Sequence, residues 1–151
     1  MSVLSYLIPL WGGCEAYLVK ALQVLQNRAA RQVTKLSWFT ASRRLLNQCN
    51  WLSIRQLIFY HSALTVFRTT RTKTPLYLSQ HLNTENPYPT RLAVGGGLRV
   101  DGIHGGLVNK SFLIRAAKDF NTIPANIRVC RTLPAFKKQL KKWINLNIPL
   151  D

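Results

Sequence analysis

Apolar residues recur at intervals of three and four between Gly13 and Leu36. This spacing places them on one side of a helix, so it predicts one long amphipathic α-helix. The apolar stripe consists of Leu18, Leu22, Leu25, Ala29, Val33 and Leu36. At about 100° per residue, Arg28, Arg31 and Lys35 lie together roughly a third of a turn from that stripe. We therefore expect an apolar face beside a basic face.

Two more helices are predicted before residue 73. Thr40 or Ser42 can cap a short helix that runs through Cys49, because a hydroxyl oxygen accepts a bond from the free amides of the first turn. Ser53 can cap the next one in the same way. Its apolar residues are Ile54, Leu57, Ile58, Leu64 and Phe67. Residues 1–72 are thus expected to form an N-terminal unit of three helices.

Residues 73–110 have a different composition, with three prolines between Lys73 and Thr90 and a glycine cluster from Gly95 to Gly106. Prolines and glycines interrupt regular structure, so this segment is expected to be an irregular connection. Two short apolar runs, 91–94 and 98–100, flank three consecutive glycines. That pattern is compatible with a small β-hairpin.

A pair of helices is predicted over residues 111–151. Ser111 and Thr132 stand at their N-cap positions, and the first helix is expected to end before Pro124. Apolar residues share one side of the second helix: Leu133, Phe136, Leu140, Trp143 and Ile144. Lys138, Lys141 and Lys142 lie on the other side. The whole chain is therefore expected to be mostly α.

Charge is the most unusual property of the composition. The 151 residues include 21 Lys and Arg but only 5 Asp and Glu, giving a net charge of +16. Such an excess repels itself unless a polyanion is nearby. The acidic residues are widely separated, so no carboxylate pair is available to hold two magnesium ions or to divide acid and base roles. We expect no catalytic residues, no cofactor and no enzyme activity from this chain alone.

Other site types find little support in the sequence. The three cysteines and three histidines lack the spacing of metal ligands, and no CxxC is present, so neither a metal site nor a disulfide framework is expected. A phosphate-binding P-loop requires glycine before Lys110-Ser111, where this chain has Asn109. The apolar segment from Val3 to Trp11 is too short to span a bilayer. The sequence favours a soluble or peripheral protein of a reducing compartment over one that spans a membrane.

The basic residues are the candidate site. A single lysine on a helix is usually a solvated surface group, but acids normally accompany such lysines, and here they are scarce. The collective excess therefore favours contacts with a phosphate backbone. The candidate contacts are Arg28, Arg31, Lys35, Arg43, Arg44, Lys138, Lys141 and Lys142. The aromatic residues Trp11, Trp51, Phe112, Phe120 and Trp143 are expected in the core and not as base-stacking platforms.

Five short blocks occur in a characteristic order. They are Tyr6, Trp11-Gly12 and Leu22-Gln23-x-x-Gln26-Asn27-Arg28 with Arg31; Trp51-Leu52 with Arg55; Pro75-Leu76-Tyr77-Leu78; Ser111-Phe112-x-x-Arg115-Ala116 with Phe120-Asn121-x-Ile123-Pro124 and Ile127; and Leu133-x-x-Phe136-Lys137-x-x-Leu140-Lys141-x-Trp143. In this order the chain resembles the C-terminal, thumb and post-palm segment of a non-LTR (LINE-type, jockey-like) retrotransposon reverse transcriptase. Residues 79–110 match least. Phe120 and Ile123 replace the Trp and Leu that the family usually has.

The resemblance implies a function and a location. Full-length members are RNA-directed DNA polymerases, but the adjacent aspartates of their palm are missing from this sequence. We therefore expect a fragment without the catalytic palm, acting at most as a sequence-nonspecific module that binds the template–primer backbone, in cytoplasm and nucleus. Its partners would be RNA, DNA or their hybrid, and the remainder of the reverse transcriptase. The alternative is an inactive structural remnant whose apolar faces normally pack on the polymerase core. A basic amphipathic surface for anionic membranes is a third interpretation.

Overall fold

The fold is mostly α, as the sequence predicts. The computed structural model describes residues 7–82, 94–99 and 111–149, and within these ranges it contains eight helices and no strand. In chain order the helices are α1 (Ile8–Trp11), α2 (Ala16–Thr34), α3 (Ser42–Gln48), α4 (Ile54–Thr72), α5 (Leu76–His81), α6 (Phe112–Thr122), α7 (Ala125–Arg128) and α8 (Leu133–Asn147).

Local signals set the ends of the N-terminal helices. Helix α4 begins with a capping box: the backbone N of Gln56 donates to Ser53 Oγ at 3.2 Å, and the backbone N of Ser53 donates to Gln56 Oε1 at 3.1 Å. Helix α2 ends at Lys35, which adopts the left-handed conformation with φ 53°. The predicted cap of α3 is wrong, because Ala41 occupies the N-cap position without a side-chain bond.

Helix α4 lies at the centre and packs against α1, α2, α6 and α8. Its Phe67 ring stacks on Phe136 of α8, with centroids 4.1 Å apart and planes within 10° of parallel. Phe120 of α6 lies 6.3 Å from the same Phe136 ring. The main core therefore joins side chains from before and after the 73–110 connection. Burial of such large aromatic side chains is a dominant contribution to stability.

Helix α2 buries only part of the apolar stripe that its periodicity indicates. Leu18, Leu25 and Val33 are exposed by 42%, 56% and 66%, whereas Gln23 and Gln26 are buried. The reason is that α2 contacts its neighbours through amide hydrogen bonds. Gln26 Nε2 donates to the backbone O of Leu52 at 2.8 Å, and the backbone N of Ile54 donates to Gln23 Oε1 at 2.8 Å. Both buried glutamines are thus satisfied. Leu18, Leu25 and Val33 face outward, whereas Leu22 packs on the small core formed by Ile8, Ile54 and Ile58.

Two of the three C-terminal helices, α6 and α8, form where the sequence predicts a helix pair, and the four-residue helix α7 between them was not predicted. Helix α6 ends at Thr122, before Pro124, and α8 fully buries Phe136, Leu140 and Ile144 while exposing Lys138. The residues at the two predicted N-caps, Ser111 and Thr132, occupy those positions but form no side-chain capping bond.

Within the described part of the 73–110 segment, helix α5 forms where the sequence predicts an irregular connection. The predicted hairpin lies largely outside the described residues. Within 94–99 no strand forms. The buried residue Leu98 is instead held by a side chain of α6, because Asn121 hydrogen-bonds both its N and its O at 2.8 Å.

Candidate nucleic-acid interface

Five of the eight predicted contacts lie at the corner between α2 and α3. Asn27 Nδ2 donates to Ser42 Oγ at 2.9 Å, and Arg31 Nη2 donates to the backbone O of Thr40 at 3.5 Å. These bonds hold the end of α2 against the start of α3. The corner carries Arg28, Arg31, Lys35, Arg43 and Arg44.

A shallow cleft of about 420 Å³ opens on the α2 side of the corner. Its walls are formed by Arg28, Arg31, Gln32, Lys35, Leu36 and Trp38. None of these six residues is acidic, so the cations face no carboxylate across the cleft. The side chains of Arg28 and Lys35 are exposed to solvent. The cleft is therefore a positively charged concavity, the form of site that concentrates anions.

Arg31 is the most constrained of these cations. Its guanidinium Cζ lies 4.8 Å from the ring centroid of Trp38, in cation–π geometry. Its Nη2 is bound to Thr40, while its buried Nε has no hydrogen-bond partner. Arg31 is thus half-buried and fixed against the aromatic ring, and its neighbours Arg28 and Lys35 are free to adapt.

Trp38 and Phe39 were missed as site residues by sequence reasoning. Trp38 is 66% exposed and Phe39 is 95% exposed, in the loop between α2 and α3. Large aromatic side chains usually contribute to a core, and composition alone cannot distinguish an exposed pair from a buried one. The available signal is their position, since they stand outside the apolar periodicity of either flanking helix.

The aromatic residues expected in the core are placed as predicted or close to it. Phe120 is buried. Trp11, Trp51, Phe112 and Trp143 are half-buried. Trp143, for example, packs on Phe59 with ring centroids 5.7 Å apart. Trp11, Phe112, Phe120 and Trp143 pack in or against the core, whereas Trp38 and Phe39 are the exposed aromatic pair at the corner.

Arg43 and Arg44 extend the basic surface onto α3. Both are exposed in its first turn, and they flank a second shallow cleft with Asn47. Arg43 also lies beside the end of α8, in a cleft formed with residues 145–149. The C-terminal helix is therefore a direct neighbour of the corner.

The second predicted group of cations lies in the middle of α8. Lys141 Nζ donates to Asn50 Oδ1 at 3.2 Å, and Asn50 follows α3 closely in the chain. Lys138 and Lys142 are exposed on the same helix, and none of the hydrogen bonds or ring contacts within the described ranges joins them to the corner. The structure thus links the two predicted groups through α3, at Arg43 and Lys141.

Another cavity, of about 590 Å³, lies away from the corner among α2, α4, α6 and α8. Its walls are mainly apolar, with Arg115 and Asp119 projecting from α6. Burial raises the pKa of Asp119, although Arg115 opposes the shift, and burial also lowers the pKa of Arg115. Arg115 Nη2 donates to the backbone O of Pro9 at 3.0 Å, so this arginine ties α6 to α1.

Across residues 7–82, 94–99 and 111–149, no group of three or more His, Cys, Asp or Glu is arranged to hold a metal ion. No helix in the described part of the chain has the length and apolar character needed to cross a membrane. Comparisons with protein families, with curated proteins and with solved structures find no match to this chain.

Proposed function

We propose that this chain binds nucleic acid through the phosphate backbone, without sequence specificity, as the template–primer-binding region of a retrotransposon-type reverse transcriptase whose palm it lacks. The observation that carries the proposal is the corner between α2 and α3. There Arg28, Arg31 and Lys35 line a cleft whose walls contain no acidic residue. Arg43 and Arg44 flank a second cleft at the start of α3, which also lacks an acidic residue. The exposed lysines of α8, Lys138 and Lys142, together with Lys141, would add contacts on the neighbouring helix.

The chemistry of these side chains favours phosphate over base edges. Base readout requires donors and acceptors held in fixed positions, whereas Arg28, Lys35 and Arg43 are exposed side chains with positive charge. Such groups neutralise phosphates and release the counterions that surround them. The proposed binding should therefore depend strongly on salt and weakly on sequence.

Fluorescence anisotropy of the purified chain tests the proposal. The probes are labelled duplex DNA, an RNA–DNA hybrid and single strands of several sequences, titrated across a salt series. If about six phosphates of duplex DNA are engaged, log affinity should fall against log salt with a slope of about −5. Affinities that vary little among sequences are expected. A folded sample that shows no saturable binding at low salt would contradict the proposal.

A second candidate function is supported by the outward face of α2. Leu18, Leu25 and Val33 are exposed on one side of that helix, as they would be if this face normally packed on a polymerase core. The chain would then be an inactive structural remnant. Dye binding to exposed apolar surface, together with the lack of nucleic-acid binding, would favour this candidate over the first.

A further inference from the structure

We propose that Trp38 and Phe39 stack on unpaired bases, so that the corner prefers single-stranded nucleic acid to continuous duplex. This inference rests on the proposed function, since the same corner supplies the phosphate contacts. The ligand class is an unpaired nucleotide segment, recognised by one or two bases and by the phosphates on either side of them.

The loop that carries the two rings is built by internal bonds. The backbone N of Thr40 donates to the O of Ser37 at 3.0 Å, which closes a turn around the aromatic pair. Lys35 reverses the chain in the left-handed conformation at one end of the loop. Arg31 Nη2 holds Thr40 at the other end. The rings are thus presented outside the core by a turn that is tied to α2.

Exposure of this extent indicates a missing contact. Phe39 is 95% exposed and Trp38 is 66% exposed, although covering such rings is favourable. Trp38 already contacts the Arg31 guanidinium, whose Cζ lies 4.8 Å from its ring centroid. Phe39 has the larger free area of the two. A flat partner that covers one or both rings would therefore gain stabilisation that this fold does not supply.

The charges around the rings specify which flat partner is suitable. Arg28, Arg31 and Lys35 form the cleft that includes Trp38, and Arg43 follows on α3. An apolar protein surface would have to desolvate these cations. A nucleotide instead brings a π-face and a phosphate together, matching a ring beside a cation. In a continuous duplex the bases are already stacked on each other, so only unpaired segments and ends offer a free face.

The principal test uses the full chain and two probes of equal length: an oligothymidylate of about 20 nucleotides and a blunt DNA duplex. The double variant Trp38→Leu with Phe39→Leu should weaken oligothymidylate binding by at least about 5-fold, because each stacked base contributes roughly 5- to 150-fold. Duplex binding and the salt slopes should change little, since no charge is altered. The matched control is Tyr17→Leu with Tyr77→Leu, which removes two rings exposed by 68% and 65% elsewhere.

A second arm leaves the protein unchanged. An oligonucleotide of the same length with several abasic sites keeps its phosphates but lacks bases to stack. We expect it to bind the wild-type chain more weakly than oligothymidylate, with the same salt slope, and to bind the double variant as it binds the wild type. Phe39→Leu alone provides a further check, because a 95% exposed side chain is not needed for folding.

The outcomes separate the two proposals. Wild-type binding to both probes with no selective loss in the double variant would overturn the stacking inference and leave the phosphate-binding function intact. If the wild-type chain binds neither probe, the proposed function itself is overturned. The chain could instead float with anionic vesicles in a way that requires Trp38 and Phe39, while their replacement leaves oligothymidylate binding unchanged. That result would assign the rings to a membrane surface and would also overturn the inference.

Discussion

The side-chain amide of Asn121 hydrogen-bonds both polar groups of the Leu98 backbone. Leu98 N donates to Asn121 Oδ1 and Asn121 Nδ2 donates to Leu98 O, each at 2.8 Å. The amide thus takes the place of a neighbouring strand beside residue 98, whose side chain is fully buried. A residue of the fourth sequence block thereby anchors part of the segment between the two helical units.

Replacing Asn121 with Ala should destabilise the fold by about 2–3 kcal/mol, because both Leu98 groups would lose their partner in a partly buried site. Urea unfolding followed by circular dichroism measures the change. Asn126→Ala is the control, since Asn126 is exposed on α7. Equal stabilities of the two variants would show that the Asn121 bonds contribute little.

Gln26→Met should also destabilise the chain, by about 1–3 kcal/mol. The new side chain has a similar length but cannot donate to the buried backbone O of Leu52 or accept from Gln23 Nε2. Gln32→Met, on the exposed side of the same helix, is the matched control and should have little effect. If the apolar replacement at residue 26 stabilised the fold, the amide network would not be what holds α2 in place.

Stability should fall in mildly acidic solution because of His61. Burial lowers the pKa of His61 below its ordinary value of 6.5, and the charges of Arg68 and Lys137 lower it further. The unfolded chain therefore takes up this proton at a higher pH than the folded chain does, so the free energy of unfolding decreases as pH falls through about 6.5. Thermal unfolding between about pH 8 and pH 5 tests this.

The variant His61→Asn should flatten that part of the pH profile, whereas His81→Asn, at an exposed position on α5, should not. An unchanged profile in His61→Asn would assign the acid sensitivity to other groups.

Polar substitution on the outward face of α2 should reduce self-association without loss of stability. Leu25 and Val33 are 56% and 66% exposed, so Leu25→Gln with Val33→Thr should change the free energy of unfolding by no more than about 0.5 kcal/mol each. Sedimentation velocity measures the association. Leu140→Gln, in contrast, introduces an amide at a fully buried position and should prevent folding. A large loss of stability in the α2 variant would mean that this face is packed in solution.

Sequence patterns predicted the features that depend on neighbours in the chain. The N-cap at Ser53 and the buried side of α8, with Phe136 and Leu140, follow from local spacing. The buried face of α2 could not be predicted in this way. It is set by the partners of Gln23 and Gln26, which lie about 26 to 31 residues further along the chain.

The candidate site was predictable in its charges but not in its shape. Net charge and helical spacing identified Arg28, Arg31 and Lys35, whereas their assembly with Trp38 depends on the turn between α2 and α3. That turn is fixed by bonds to Thr40 and Ser42, which no periodicity reveals. The stacking role that we propose for Phe39 follows only from the structure, which shows that this side chain is exposed and not part of the core.

The most direct test of the phosphate-binding function is the salt dependence of duplex DNA binding in two charge-matched triple variants. One replaces Arg28, Arg31 and Lys35 with Gln at the corner. The other replaces three exposed cations elsewhere, Arg68, Lys73 and Arg131, with Gln. Lys35 and Lys73 are closely matched, because each ends a long helix in the left-handed conformation.

We predict that the corner variant binds more weakly to every sequence and that its slope of log affinity against log salt is shallower by about 2 to 3, since each lost phosphate contact contributes about 0.9. The second variant should retain nearly the wild-type slope. Equal slopes for the two variants would contradict a phosphate-binding site at the corner. They would show that the salt dependence of binding reflects the net charge of the chain alone.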